Sequence, residues 1–339
     1  MINRFATCLA VMIVPLAAWA ADPDHRTIAS DAVTGHILPA YDRFAAEAGT
    51  LAEVAPSCDT TATRNAYHRA FDAWMGVAHI SFGPAEAGGR MFAIAFWPDK
   101  KGQTGKALRQ LMQDQDPAIL TPDRYGEQSI AARGLFAMER MLFDEDLTPD
   151  DGYHCLLTAA IASDLARSAS DIRNDWDGYA AEIAKAGADD AAVFYGPDEP
   201  TRALFNALST GLQFTTELRL ARPLGSIQRP RPKRAEAWRS ARPLRNIRLS
   251  LAANRDLWET AFEPHLSKPD ADAIRAAFDY AQAAAEAAPA PLVEAVATPS
   301  DRLKIDALRG AVDALREAVI IGVGGGLALT PGFNALDGD

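Results

Sequence analysis

The segment best suited to carry chemistry is residues 132–143, which read A-R-G-L-F-A-M-E-R-M-L-F. On a helix its leucines and methionines face a core, and Glu139 lies among them. Gly134 has no Cβ and lets another helix approach closely. A lone glutamate is usually solvated, whereas a buried one needs donors that compensate its charge. We predict that Glu139 is buried where two helical domains meet, and that an arginine or a tyrosine supplies those donors.

Candidate donors lie in residues 219–248, which hold ten lysines and arginines and a single acid in an otherwise acidic chain. Arg242, Arg245 and Arg248 recur at steps of three and fan over one side of a helix that follows Trp238. The planar guanidinium suits carboxylate or phosphate. Two interpretations stay open. The arginines pair with acidic residues across a domain interface, or some of them line an anion site.

His79 is the one histidine with a suggestive neighbour, because Asp72 precedes it by seven residues on the same helical face. A metal pair and a packed or surface histidine are both open. Seven residues span two turns, about 10 Å along the axis, which favours the packed or surface histidine.

The first 20 residues have the pattern of a secretory signal peptide. A short positive start at Arg4 precedes an apolar run, and Ala18-Trp-Ala20 fits a cleavage site. The run is too short to span a bilayer. We expect export to the periplasm or cell envelope. The net charge of −11 argues against nucleic acid or an anionic lipid surface as a partner of the whole molecule.

Two cysteines, Cys58 and Cys155, remain after cleavage. An even pair in an oxidising compartment favours a disulfide. A metal pair is less favoured because there is no C-x-x-C, and two buried free thiols are the other alternative.

The elements that must position these residues are helices. Apolar residues recur at helical spacing, as at Tyr67, Phe71 and Trp74, and no segment alternates with period two. The fold class is therefore all-α. Length favours two domains of about four long helices each, at residues 21–190 and 191–339, packed across an interface. Residues 186–200 have the composition of a linker.

The motifs of common enzymes are absent from the sequence. It contains no H-E-x-x-H, no G-x-S-x-G, no C-x-x-C and no E-x-x-H. The glycine cluster at 322–326 lacks the G-x-G-x-x-G pattern and fits the end of a helix.

The mature chain resembles the imelysin family in three segments. Residues 134–139 (G-L-F-A-M-E) resemble its G-x-H-x-x-E signature, residues 238–247 a second-domain helix, and residues 332–339 its G-F-x-x-x-D-G-D ending. The resemblance implies two helical bundles, an envelope location, a site at the domain interface, a link to iron uptake and a peptidase label. Phe136 stands where the family has histidine, and it can neither ligate a metal nor move a proton.

The function that we predict is binding without catalysis. An interdomain cleft near Glu139 and the arginine-rich stretch would hold a small anionic ligand or an envelope protein. The alternatives are a metal-dependent peptidase or another hydrolase, and an iron-binding protein. Phe136 counts against both, so no cofactor is predicted, and iron or another divalent metal is the disfavoured option. We also expect no tightly held zinc or iron at residues 134–139.

Overall fold

The computed structural model describes residues 23–147 and 152–330. The predicted signal peptide at residues 1–20 and the motif at 332–339 lie outside these residues. Within them every regular element is a helix, and the only bridge between extended residues joins Ser226 to Arg229. The all-α prediction is confirmed. No helix in the described ranges is long and apolar enough to cross a membrane.

The helices are bounded as follows: α1 His25–Asp31, α2 Leu38–Val54, α3 Thr60–Met75, α4 Arg90–Ile94, α5 Gln103–Asp114, α6 Pro122–Tyr125, α7 Gly134–Phe143, α8 Gly152–Ala184, α9 Glu199–Phe214, α10 Arg222–Leu224, α11 Pro243–Leu257, α12 Lys268–Ala287, α13 Leu292–Ala295 and α14 Pro299–Val319. Wider π-helical turns continue four of them, at Ala32–Ile37, Thr215–Ala221, Trp258–Phe262 and Ile320–Gly324.

Helix starts follow the chemistry of their capping residues. Asp59 accepts a hydrogen bond from the backbone of Ala62 at 3.0 Å and so caps α3. Ser267 caps α12 in the same way through Asp270. Such contacts satisfy backbone N–H groups that have no partner inside the helix.

The helices pack in two groups that share one core. In the first half α2, α3 and α8 pack together, with α7 against α3 and α8. In the second half α14 packs on α9 and α12, and α11 on α9 and α12. Contacts of α1 with α9 and of α3 with α11 join the groups, and the buried apolar residues from Ile28 to Leu329 form one cluster. The connection between α8 and α9 falls in the linker predicted at 186–200. The domain limits at 190/191 stay a prediction.

A disulfide joins Cys58 to Cys155 across 97 residues of chain, with a Cα–Cα distance of 5.5 Å. It ties the turn before α3 to the start of α8. The disulfide prediction is confirmed, and the metal-pair and free-thiol alternatives are excluded.

Candidate functional site

Gly134 begins α7 in a conformation that other residues rarely adopt. Its φ is +70°, and an added Cβ would lie 2.2 Å from the carbonyl oxygen of Ile94 and 2.3 Å from that of Ala93. Both obstacles are backbone atoms, so neither can rotate away. The close approach expected at Gly134 is therefore made by the end of α4, and it fixes where α7 starts.

Glu139 lies one and a half turns further along α7 and is only 3% exposed. Its Oε1 accepts two hydrogen bonds from Ser240, one from the backbone N–H at 3.0 Å and one from the hydroxyl at 2.9 Å. Burial raises the pKa of Glu139, while these two bonds and the nearby charge of Arg239 oppose the rise.

The predicted burial of Glu139 is therefore present, and its donors come from the basic stretch that was expected to supply them. They belong to Ser240, however, and not to an arginine or tyrosine side chain, while Arg239 acts through its charge. The donors are neutral groups of a turn. Ala237 and Ala241 flank that turn with φ values of 46° and 56°, which is strained backbone for an alanine. The turn aims the N–H and the hydroxyl of Ser240 at the same oxygen. Such a contact has no helical periodicity by which the sequence could reveal it.

A cavity of about 510 Å³ opens beside Glu139. One side is formed by residues 96–104 and by α7, and the other by α10 and residues 233–239. Its lining residues are Phe96, Trp97, Asp99, Lys100, Gly102, Thr104, Phe136, Glu139, Arg140, Arg222, Lys233, Arg234, Ala235, Ala237, Trp238 and Arg239. The volume lies in the range usual for small-molecule sites, roughly 300–1,000 Å³.

Charge in this cavity is strongly unbalanced, with six cationic side chains and two carboxylates in its lining. Asp99 accepts hydrogen bonds from the backbone of Gln103 and Thr104 at 2.8 and 2.9 Å, so it caps α5. Asp144, close by, pairs with Arg140 at 3.0 Å and with Arg239 at 3.2 Å. Neither lining carboxylate therefore pairs directly with a lining cation in the described part of the chain.

Three cations of the lining have no carboxylate within ion-pair distance among the described residues. They are Arg222, Lys233 and Arg234, and we call them the rim cations. Burial and the neighbouring charge of Arg234 lower the pKa of Arg222. No carboxylate among the described residues forms an ion pair with Arg222 that would offset these two effects.

Aromatic rings form the rest of the lining. Trp238 is close to two cations, with the Lys233 nitrogen 5.3 Å and the Arg239 guanidinium carbon 4.3 Å from the ring centroid. Phe136 is nearly parallel to Trp97, with centroids 6.2 Å apart, and meets Phe71 edge-on. Phe136 is thus part of an aromatic cluster.

A metal centre does not fit the residues at this position. Phe136 offers no lone pair, Oε1 of Glu139 is already engaged by Ser240, and the surrounding cations oppose a metal cation. Within the described ranges no group of three or more His, Cys, Asp or Glu side chains is arranged to hold a metal ion.

The three arginines singled out on the helix lie outside the cavity lining. Arg242 is 1% exposed and Arg245 is exposed, and both donate to the carboxylate of Asp72 on α3. Arg248 donates to the carbonyl oxygens of Ala285 and Glu286, at 3.0 and 3.2 Å. Of the two interpretations, pairing between elements describes Arg242 and Arg245. Of the residues named at the arginine-rich stretch, Trp238 alone reaches the cavity.

The spacing of basic residues along a helix did not predict the cations that line the cavity. Lys233, Arg234 and Arg239 belong to the same basic stretch, but they precede α11. Lys233 and Arg234 lie in the single 3₁₀ turn Pro232–Arg234 and Arg239 lies in a turn, and both segments are too short to show a helical period. Lys100 and Arg140 come from the first half of the sequence. The basic composition of residues 219–248 was the available signal for the first three.

His79 lies apart from the cavity and from Asp72. It is 5% exposed, and its Nε2 is 3.1 Å from Nε2 of His36. Nδ1 of His36 is in turn 2.6 Å from the carboxylate of Asp256 on α11. Burial lowers the pKa of His79 well below its usual value, and His36 and Arg219 add to that effect. His79 is a packed histidine, and the metal pair with Asp72 is not formed.

The fold and the cavity define a class of protein: an all-α molecule of two packed helical groups with a basic, aromatic cavity between α7 and the chain that precedes α11. A family model described as imelysin matches residues 37–319, and the chain belongs to the imelysin family.

Two solved structures share the fold. An imelysin-like protein from Psychrobacter arcticum 273-4 has a TM-score of 0.77 and 18% identity, covering 91% of this chain and 97% of that one. A candidate iron-regulated protein A precursor from Parabacteroides distasonis ATCC 8503 has a TM-score of 0.74 and 14% identity, covering 92% and 97%. The search of curated proteins found no match.

Proposed function

We propose that this protein is exported to the periplasm or cell envelope and binds a small organic anion, without catalysis, in the cavity beside Glu139. The observation that carries the proposal is the set of rim cations. Arg222, Lys233 and Arg234 converge on one concave surface without a carboxylate partner among the described residues. In a protein of net charge −11, a cationic cavity is a local exception that favours an anion.

The chemistry of the lining supports the same proposal. Arginine and lysine bind carboxylate or phosphate through charge-assisted hydrogen bonds, which are about twice as strong as neutral ones. The rings of Trp97, Phe136 and Trp238 supply apolar surface for the carbon skeleton of a ligand. The cavity would lie between the proposed domains at residues 21–190 and 191–339, so a ligand would contact both.

Binding is favoured over hydrolysis by what occupies the position of the family motif. Peptide hydrolysis needs a nucleophile or an activated water. Phe136 fills the histidine position with a packed ring, and Ser240 holds one oxygen of Glu139. Because one structural neighbour is described as iron-regulated, we extend the proposal to a role in iron uptake, with the anion carried either free or as its ferric complex.

The test is isothermal titration calorimetry of the purified protein with citrate and with inorganic phosphate. The variant Arg222→Gln/Lys233→Gln/Arg234→Gln removes the rim cations. Because hydrogen bonds to charged groups contribute about 1.5–3 kcal/mol each, we expect the affinity to fall at least about 100-fold.

A matched control removes three cations that lie on α12 and α14, away from the cavity: Lys268→Gln/Lys304→Gln/Arg309→Gln. The control should bind like the parent. Equal losses in the two triple variants would mean that net charge, and not the cavity, governs binding. Absence of binding by the parent would refute the proposal. Repeating the titration with ferric citrate tests the link to iron.

A further inference from the structure

Among the described residues, no side chain donates a hydrogen bond to Oε2 of Glu139. Both donors of Ser240 end on Oε1, and the backbone N–H of Arg239 is the nearest further donor to the carboxylate, without a hydrogen bond of normal length. The Glu139 side chain as a whole is buried and lines the cavity. Its Oε2 atom, however, is not fully enclosed by protein atoms. Oε2 is therefore the part of Glu139 that faces the cavity.

The neighbouring cations do not satisfy this oxygen. Arg140 and Arg239 are both directed to Asp144, at 3.0 and 3.2 Å. The other residues near Glu139 in the lining, Phe136 and Ala237, carry no side-chain donor. Because Oε2 faces the cavity, a donor carried by a ligand can reach it, and a hydrogen bond to a charged group is among the stronger ones.

A ligand of this cavity thus meets two requirements at once. Its anionic groups must reach the rim cations, and a neutral donor must reach Oε2 of Glu139. An ammonium group would also donate to Oε2, but it would enter a lining with six cations. A hydroxyl group donates without adding positive charge.

We propose that the ligand is a hydroxylated organic anion, whose hydroxyl donates to Oε2 of Glu139 while its carboxylate or phosphate groups contact the rim cations. The inference rests on the proposed anion binding. It adds that Glu139 selects among anions by accepting one hydrogen bond from the ligand.

Matched pairs of probes isolate the hydroxyl. Citrate and tricarballylate have the same three carboxylates and differ in one hydroxyl, and glycerol 3-phosphate and propyl phosphate make the same comparison for a phosphate. Titrations are run at pH 8, where the carboxylate form of Glu139 is favoured. We expect the hydroxylated member of the pair that binds to do so at least about 10-fold more tightly, as a hydrogen bond to a charged group requires.

The variant Glu139→Met tests whether that difference arises at Oε2. Methionine has a similar length, but it neither donates a hydrogen bond nor offers a strong acceptor to the hydroxyl of a ligand. Within either pair the two affinities should then agree to about twofold. If this variant fails to fold, the ratio measured on the parent protein decides.

The possible results separate the two proposals. Equal affinities within each pair on the parent protein, or a preference that persists in Glu139→Met, would overturn the hydroxyl contact and leave anion binding intact. Failure of all four probes to bind the parent would overturn anion binding and the hydroxyl contact together.

Discussion

The protein compensates the carboxylate form of Glu139 only in part. Neutral donors of Ser240 hold one oxygen, and no lysine or arginine side chain among the described residues forms an ion pair with the carboxylate. Arg239 lies near enough to act through its field, but its guanidinium pairs with Asp144 at 3.2 Å. Oε2 of Glu139 therefore lies in the same cavity as the rim cations, and none of these groups has an ion-pair partner among the described residues. This arrangement is suited to a ligand that has both an anionic group and a donor.

The first prediction at this scale concerns the ionisation of Glu139. Its pKa is raised in the folded protein by burial, so the folded state holds the proton more tightly than the unfolded state does. The contribution of Glu139 to the free energy of unfolding is fully present below the pKa of about 4.3 that a glutamate has in the unfolded chain. It is lost as the pH rises through the pKa of Glu139 in the folded protein. Glutamine does not titrate, so the Glu139→Gln variant should not lose stability in this way as the pH rises. The melting temperature of the variant, relative to the parent, should rise between pH 4.5 and pH 8.

Glu53→Gln is the control for this measurement, because Glu53 lies exposed on α2. The difference in melting temperature between Glu53→Gln and the parent should stay constant over the same pH range. A relative melting temperature of Glu139→Gln that falls with pH would mean that a cation stabilises the carboxylate, as the sequence had suggested.

At the scale of elements, a buried ionic network joins α3 to α11. Arg242 donates to Asp72, to the ring and carbonyl of His68, and to Asn246 at 3.1 Å. Asn246 donates to Glu236 at 2.9 Å, and Arg219 donates to the same carboxylate at 2.8 Å. The network links chain segments from both halves of the molecule.

We predict that Arg242→Met and Arg245→Met differ sharply although both arginines bind Asp72. Arg242 is buried, and its loss leaves Asp72 and Asn246 short of a donor, so the free energy of unfolding should fall by about 3–5 kcal/mol. The Arg245 side chain is 60% exposed, and its loss should cost under about 1 kcal/mol. Urea unfolding measures both. Equal losses would show that burial does not set the strength of these pairs.

The hydrogen-bonded series Asp256–His36–His79 predicts a loss of stability in mild acid. Nε2 of His36 and Nε2 of His79 share one hydrogen bond at 3.1 Å, which needs one proton. The pKa of His79 is lowered in the folded state, so the unfolded state binds more protons. Its contribution to stability is full above about pH 6.5 and is lost as the pH falls below it.

The free energy of unfolding should therefore fall between pH 8 and pH 5.5, by at most about 1.4 kcal/mol per pH unit for this proton. His79→Gln should flatten the slope, because glutamine does not titrate. His265→Gln, at a partly exposed histidine, should keep the slope of the parent. An unchanged slope in His79→Gln would contradict the assignment.

The sequence predicted the helices and the burial of Glu139 because both follow from apolar periodicity. Tyr67, Phe71 and Trp74, spaced as one helical stripe, are all buried on α3. Apolar periodicity does not predict the cavity. Its cations come from α7, α10 and the turns around Lys100 and Lys233, and only tertiary packing brings these segments together.

At the scale of the whole molecule, a basic cavity is embedded in an acidic protein. A net charge of −11 repels an approaching anion at long range, and salt screens that repulsion beyond roughly 8–10 Å. The rim cations must therefore act at contact distance. Affinity then depends on the position of Arg222, Lys233 and Arg234 more than on the total charge. Neutralising them should therefore reduce the affinity more than neutralising three distant cations.

The most direct test of anion binding in this cavity is to locate an anion in a crystal of the parent protein grown with selenate, whose selenium scatters anomalously. The account predicts the strongest anomalous peak in the cavity, within hydrogen-bond distance of the rim cations. Loss of that peak in Arg222→Gln/Lys233→Gln/Arg234→Gln would complete the assignment. Selenate peaks elsewhere on the protein with none in the cavity would contradict it.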